Sequence, residues 1–187
     1  MNATAKVSIL AGLACAALLA GCRAKSEFDG QTYRQNGMDF SIAVPQGWSY
    51  EELDGDLMLQ LAGPAVGTGR VRPMIHVFSR RESAPVDLDQ AAQELQKLLT
   101  EQWRFDPTQP KTGPSAQPIA IQPADVSGLP ARSMARTVRE GAAMIHQQLI
   151  VVARGRQDWA LLVAMPEGAD AATQQAADEI RRSFKVW

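Results

Sequence analysis

Cysteine is scarce in this sequence. The 187-residue chain has two, Cys15 and Cys22, and both lie near the amino terminus. Beyond Cys22 there is no thiol, so residues 23–187 can form no disulfide and offer no thiolate nucleophile or thiolate metal ligand. Any chemistry of the main body must use other groups.

A basic excess is also missing. Lys and Arg number 19 against 20 Asp and Glu, a formal net charge of −1, which argues against a nucleic-acid binder. The sequence holds no Gly-x-Ser-x-Gly elbow and no phosphate-loop motif. The usual signatures of α/β-hydrolases and of P-loop nucleotide-binding proteins are therefore absent. We expect no cofactor and no metal.

No apolar run is long enough to span a bilayer. Residues 7–20 are apolar apart from Ser8, which gives about fourteen residues where a membrane-spanning helix needs about twenty. Lys6 precedes this run and small residues follow it, a pattern typical of a secretory signal. Residues 1–21 are therefore predicted to be a signal peptide that is removed.

The tetrapeptide Leu19-Ala20-Gly21-Cys22 resembles the lipobox of bacterial lipoproteins. This resemblance implies that the Cys22 sulfur carries diacylglycerol and that cleavage occurs before Cys22. Arg23, rather than Asp, follows the cysteine, and by the same resemblance this favours the outer membrane, with the body facing the periplasm. We interpret residues 22–36, which are mostly polar, as a lipidated tether and residues 37–187 as one domain.

Hydrophobic periodicity predicts an α+β domain. Alternating segments such as residues 38–44 indicate strands, and residues 129–165 indicate an antiparallel meander. Helical spacing and a capping Asp predict one helix over residues 87–103 and a second that begins after Asp170. The predicted fold is a single antiparallel sheet of about six to eight strands flanked by two main helices.

Two segments carry a family resemblance. Residues 40–48, an apolar strand that runs into Pro45-Gln46-Gly47-Trp48, resemble the opening of PsbP-like domains, and residues 177–185 resemble their closing helix. That superfamily includes the photosystem II extrinsic protein, the Ran-binding Mog-type proteins and bacterial DcrB-like lipoproteins. The resemblance implies an α/β/α sandwich that binds partners without catalysis, and it transfers no functional residue.

The two histidines, His76 and His146, are the candidates for a catalytic or metal site. Both fall in predicted strands, where they are either neighbours across the sheet or unrelated, and neither shows metal-ligand spacing. Arginines near strand ends, with Arg132 and Arg136 on one strand face, are either solubilising charges or a surface for an acidic partner.

Three hypotheses for function follow. The first is a non-enzymatic lipoprotein, anchored through Cys22, that binds an unknown envelope protein on the periplasmic side. The second is a lipoprotein that binds a small ligand or a lipid in a pocket between the first helix and the sheet. The third is a hydrolase that uses His76 or His146.

Overall fold

A seven-stranded antiparallel sheet is the centre of the fold. The computed structural model describes residues 26–67, 71–101 and 119–187. The sheet has the order β4-β5-β6-β10-β9-β8-β7, so β8, β9 and β10 form the predicted meander, which β7 extends by one strand. Its strands are β4 (Ser49–Glu52), β5 (Leu57–Ala62), β6 (Met74–Arg81), β7 (Gln122–Val126), β8 (Leu129–Glu140), β9 (Ala143–Arg154) and β10 (Gln157–Pro166).

A second sheet of four strands packs against one face of the first. Its order is β1-β2-β3-β11, and its strands are β1 (Ser26–Phe28), β2 (Thr32–Gln35), β3 (Phe40–Ala43) and β11 (Lys185–Val186). The α+β class is confirmed, whereas the expected single sheet is joined by this smaller one. The short strands β2 and β11, from the two ends of the described chain, both pair with β3. Strands of two to four residues are too short to show a clear alternating pattern in the sequence.

The predicted tether does not fit the structure for residues 26–36. β1 and β2 lie in this range, and Tyr33 is completely buried in the core. Thr32 to Gln35 pair with β3, and the Val44 amide donates to the Gln31 carbonyl at 2.7 Å. The domain therefore includes residues 26–36, because a mostly polar segment with only two buried side chains can still pair as a strand on both sides. The predicted signal peptide, the lipobox-like tetrapeptide and Cys22 lie outside the described residues.

Helix α1 (Leu88–Glu101) covers one face of the large sheet. The Asp87 carboxylate accepts a hydrogen bond from the Gln90 amide at 2.9 Å, which confirms the predicted cap. The predicted extension to Trp103 lies outside the described residues. This layer buries apolar side chains of the helix, of Ile119 and of β8, β9 and β10: Ala91, Ala92, Leu95, Leu99, Ile119, Met134, Leu149, Val151, Ala160 and Leu162.

The opposite face of the large sheet is covered by the small sheet and by helix α2 (Ala171–Ser183). Asp170 begins the helix by accepting from the Thr173 amide at 2.7 Å, as its spacing predicts. Ala177, Ile180 and Phe184 from the predicted apolar stripe are buried there. The two helices therefore lie on opposite sides of the large sheet, as expected.

Candidate functional site

An open groove lies between α2 and one end of strands β8, β9 and β10. Its volume is about 690 Å³, within the range of ligand sites, which is roughly 300–1,000 Å³. Residues from five consecutive segments line it. They are Ala135, Arg136, Thr137, His146, Gln147, Gln148, Val163, Met165, Pro166, Glu167, Gly168, Gln174, Ala177, Asp178 and Arg181.

The chain forms this groove where β10 turns into α2. The Glu167 amide donates to the Met144 carbonyl at 2.8 Å, which holds the turn against β9. Gly168 has a φ of +85°, a backbone conformation that glycine adopts without strain. The Asp170 cap then sets the start of α2. The helix therefore leaves the sheet at a fixed point, with a gap between its first turns and the strand ends.

Apolar and charged groups both line the groove. Val163 and Ala177 are buried and Met165 is half-buried, so they form its apolar part. Asp178 and Arg181 lie one helical turn apart on α2, with Arg181 Nη2 and Asp178 Oδ1 at 3.4 Å. A site of this composition can accept a ligand with apolar, donor and acceptor groups together.

His146 lies in this groove beside a hydroxyl group. His146 Nδ1 and Thr137 Oγ1 are 2.9 Å apart across β8 and β9. The tautomer decides which atom donates, and the ring is exposed to solvent. Among the described residues, no hydrogen bond joins the other ring nitrogen to a carboxylate. The pair therefore lacks the third group that orients the base in hydrolytic triads.

The two histidines do not form one site, because they lie on opposite faces of the sheet. His76 is opposite Leu162 in the β6–β10 register, and Leu162 belongs to the α1 layer. His146 is opposite Met165, which packs against the other layer. The structure therefore supports the interpretation that the two histidines are unrelated. Their partners Leu162 and Met165 are three positions apart on β10, and an odd separation along a strand puts side chains on opposite faces.

His76 is buried, and its burial predicts a measurable pH dependence. Desolvation lowers the pKa of His76 from 6.5 to about 4. The folded state therefore favours the neutral ring. The contribution of the neutral ring to the free energy of unfolding is fully present above about pH 6.5, which is the pKa of histidine in the unfolded chain. This contribution is lost as the pH falls toward 4.

We expect the free energy of unfolding to lose about 3 kcal/mol between pH 7 and pH 4 through His76 alone. The variant His76→Gln, which cannot titrate, should show a correspondingly flatter pH profile in urea denaturation. Equal slopes for the variant and the wild type would contradict this assignment.

Several of the candidate arginines form ion pairs or hydrogen bonds within the fold. Arg80 binds the buried carboxylate of Asp158, with Nη2 and Oδ2 at 2.6 Å. Arg132 Nε lies 2.6 Å from Asp89 Oδ1, and so links β8 to α1. Arg136 donates to the Leu99 carbonyl at 2.6 Å and to the side chain of Gln147. The shared face of Arg132 and Arg136 is therefore used to position α1.

The space between α1 and the sheet is small. A cavity of about 100 Å³ lies there beside the Arg80–Asp158 ion pair, among Phe78, Leu95 and Leu98. This volume is below the roughly 300–1,000 Å³ of typical ligand sites. Of these two spaces, both lined by described residues, the groove at α2 is the larger and has the size of a ligand site.

Two further findings concern only part of the chain. Within residues 26–67, 71–101 and 119–187, no three His, Cys, Asp or Glu side chains lie close enough together to hold a metal ion. In the same described ranges, no helix combines the length and the apolar character that crossing a bilayer requires.

The sequence-based search missed most of the groove. Gln174, Asp178 and Arg181 recur at helical spacing beside the apolar stripe of α2, so their shared side of the helix could have been found. Gln148 gave no comparable signal, because His146, Gln147 and Gln148 are three consecutive polar residues of β9, and a run without alternation does not show which of them faces a groove. Only the position of α2 over the strands brings these side chains together.

Comparison with known proteins identifies the fold. Neither a protein-family model nor a curated protein sequence matches the chain. The cyanobacterial PsbP protein of Synechocystis, known as CyanoP, matches with a TM-score of 0.57 at 12% identity, over 100% of this chain and 99% of its own. LpqN of Mycobacterium tuberculosis, described as involved in cell envelope biogenesis, matches with a TM-score of 0.57 at 11% identity, over 79% and 82%.

A third similar structure is a larger protein. A protein of Bacteroides thetaiotaomicron matches with a TM-score of 0.55 at 15% identity, over 86% of this chain but 49% of its own length. The chain thus spans about half of that protein and nearly all of CyanoP. At such identities the likeness concerns the fold alone. The chain has the PsbP-like α+β fold.

Proposed function

We propose that this protein is a non-enzymatic envelope lipoprotein, anchored through Cys22 in the outer membrane, that binds a segment of another envelope protein on the periplasmic side. The groove between α2 and strands β8–β10 is the observation that carries the proposal. The lipobox-like tetrapeptide before Arg23 supports the location. LpqN, which has a similar fold and is involved in cell envelope biogenesis, agrees with this location.

The composition of the groove suits a peptide segment. A peptide presents amide donors and carbonyl acceptors at regular intervals, and the side-chain amides of Gln148 and Gln174 can serve both. The buried Val163 and Ala177 offer an apolar contact for a side chain of that segment. Charges of both signs, Asp178 and Arg181, favour a partner that carries opposite charges at matching positions.

A lipid anchor would make weak binding sufficient. A tethered protein meets partners in the same membrane at an effective concentration that far exceeds its average in the compartment. Two acyl chains anchor stably, since each buried CH₂ contributes roughly 0.8 kcal/mol. A groove of moderate size can then act without the large interface that a soluble binder requires.

The anchor is tested directly by the variant Cys22→Ser. We expect it to remain an unprocessed precursor and to lose all incorporation of labelled fatty acid, because the hydroxyl replaces the thiol that accepts the lipid. Metabolic labelling followed by membrane fractionation measures both effects. Labelled mature Cys22→Ser protein in the outer membrane would contradict the anchor.

The groove is tested by photocrosslinking in intact cells at two matched positions. Gln174 lines the groove, whereas Gln175 is the next residue of α2, is equally exposed and does not line it. A photoreactive amino acid at residue 174 should give a discrete crosslinked protein band, and the same group at residue 175 should give none. Equal bands at both positions, or none at residue 174, would contradict binding through the groove.

A small ligand is the alternative occupant, since the volume of the groove also suits one. In that case residue 174 would yield no protein adduct, and native mass spectrometry of the purified protein would show a bound small molecule. The Thr137–His146 contact favours hydrolysis as a second alternative. In that case the purified protein would hydrolyse a substrate and His146→Ala would abolish the hydrolysis in folded protein, whereas our proposal expects binding without turnover.

A further inference from the structure

Two exposed aromatic rings lie together at one edge of the domain. Phe28 on β1 is 42% exposed, Tyr50 on β4 is 37% exposed, and their ring centroids are 4.9 Å apart. β1 is the edge strand of the small sheet and β4 the edge strand of the large one. We name this surface, formed by Phe28 and Tyr50, the aromatic edge.

The aromatic edge is rigidly supported from the core. Tyr50 lies 5.6 Å from Tyr33, and Tyr33 lies 6.0 Å from Phe40, both measured between ring centroids. Tyr33 and Phe40 are completely buried. A hydrogen bond of 2.8 Å from Ser26 Oγ to Glu52 Oε1 also joins the two edge strands. The exposed rings are therefore held in place rather than carried on a loop.

The covalent chain brings this edge close to the proposed anchor. Ser26 is the fourth residue after Cys22. Four residues span at most about 14 Å even when fully extended. The headgroup region on each side of a bilayer is roughly 5–8 Å thick. β1, which begins at Ser26 and contains Phe28, thus cannot lie far from the lipid surface.

From this distance we propose that the aromatic edge docks on the lipid headgroups, with Phe28 and Tyr50 as interfacial contacts. The proposal rests on the proposed lipid attachment at Cys22. Aromatic side chains are favoured at the membrane–water interface, where an apolar ring and a polar group are both accommodated. A short tether gives effective concentrations in the millimolar range, so even a weak contact of two rings is populated.

The charged side chains around the aromatic edge determine which headgroup charge the lipid surface should have. Glu27, Glu51 and Glu52 are exposed on β1 and β4, and Arg34 is the cross-strand partner of Glu27. The excess of carboxylates disfavours a strongly anionic bilayer. We therefore expect docking on zwitterionic phospholipid and weaker docking on anionic phospholipid.

Docking would also orient the groove. β4 is one edge strand of the large sheet, and β7 and β8 lie at the opposite edge. When β1 and β4 contact the membrane, β7 and β8 therefore lie farthest from β4 across the sheet. The groove draws its lining from β8, β9, β10 and α2, away from the aromatic edge. The binding surface would then remain accessible to a partner while the opposite edge contacts lipid.

The chain supplies a matched control for the two rings. Trp187 is 46% exposed but follows β11, which forms the other edge of the small sheet. It is thus an exposed aromatic residue that the tether does not bring to the membrane. Substitution of Trp187 removes similar apolar surface without changing the aromatic edge.

The experiment uses the processed chain, residues 22–187, in which Cys22 is the single thiol. Cys22 is coupled to a maleimide phospholipid in zwitterionic nanodiscs that contain nitroxide-labelled headgroups. Loss of backbone amide NMR signals then reports proximity to the lipid surface. We expect strong losses in β4 and the smallest losses in β7, with recovery of the β4 signals in the double variant Phe28→Ser, Tyr50→Ser. The tether alone keeps β1 near the labelled headgroups, so the β1 losses persist in every variant and are not used as the readout. Trp187→Ser should keep the wild-type pattern.

Thermal unfolding checks that each variant is folded, and Phe28→Ser alone serves if the double variant is not. The proposal is overturned if the double or single variant retains the wild-type losses in β4, or if a surface other than β1 and β4 shows the largest losses, including equal losses over the whole domain. Because the lipid is attached chemically, this result does not depend on lipidation in cells. Failure of the Cys22→Ser labelling test would refute the anchor separately.

Discussion

A chain that begins at Gly37 is expected not to fold, although a chain that begins at Ser26 is expected to fold normally. The shorter chain loses β1 and β2, and with them Tyr33, which is completely buried. Removal of a buried aromatic side chain alone costs about 3–5 kcal/mol. It also leaves β3 paired only with the two residues of β11.

Together these losses approach the whole stability of a typical domain, about 5–15 kcal/mol. Circular dichroism during heating should show a cooperative transition for the chain from Ser26 and none for the chain from Gly37. Similar melting temperatures for the two chains would show that residues 26–36 act as a tether after all. The matched start points separate the loss of two strands from the loss of residues 1–25.

The variant Phe184→Ala is expected to lower the free energy of unfolding by about 3–5 kcal/mol. Phe184 ends α2 and is 3% exposed, with its ring centroid 6.2 Å from that of Phe40. Truncation leaves a cavity between the helix and the small sheet, where the rigid strands cannot close over the gap. Urea denaturation measures the change.

Trp187→Ala is the control for this substitution, because it removes a larger ring three residues further along that is 46% exposed. We expect a change within about 0.5 kcal/mol, as for most surface substitutions. If Phe184→Ala costs less than about 1 kcal/mol, the ring does not contribute to the core as its burial indicates. If both variants cost the same, exposure does not distinguish the two sites.

The sequence predicted the secondary structure well where periodicity was strong. The helix that begins after Asp170 and the meander from β8 to β10 were both predicted, since a capping carboxylate and short turns act locally. The segment from Thr32 to Gln35 was not predicted as a strand. Its two buried side chains, Tyr33 and Gln35, do not form a recognisable apolar pattern.

The candidate site shows the same division between local and non-local information. The sequence identified His76 and His146 as candidates, but the strand register puts them on opposite faces of the sheet. A displacement of one position would have reversed that result, because side chains alternate along a strand. The groove depends on where α2 crosses the strands, which no local pattern encodes.

Local sequence patterns were enough to predict the α+β class, the two helices with their caps, and a lipid on Cys22. These features depend on neighbouring residues, so periodicity, capping groups and a short motif are enough to reveal them. The folded structure, in contrast, was needed to show that Tyr33 belongs to the core, that the two histidines lie on separate faces, and that α2 leaves an open groove. These features depend on contacts between residues far apart in the chain, and such contacts exist only after the strands have paired and both layers have packed against the sheet.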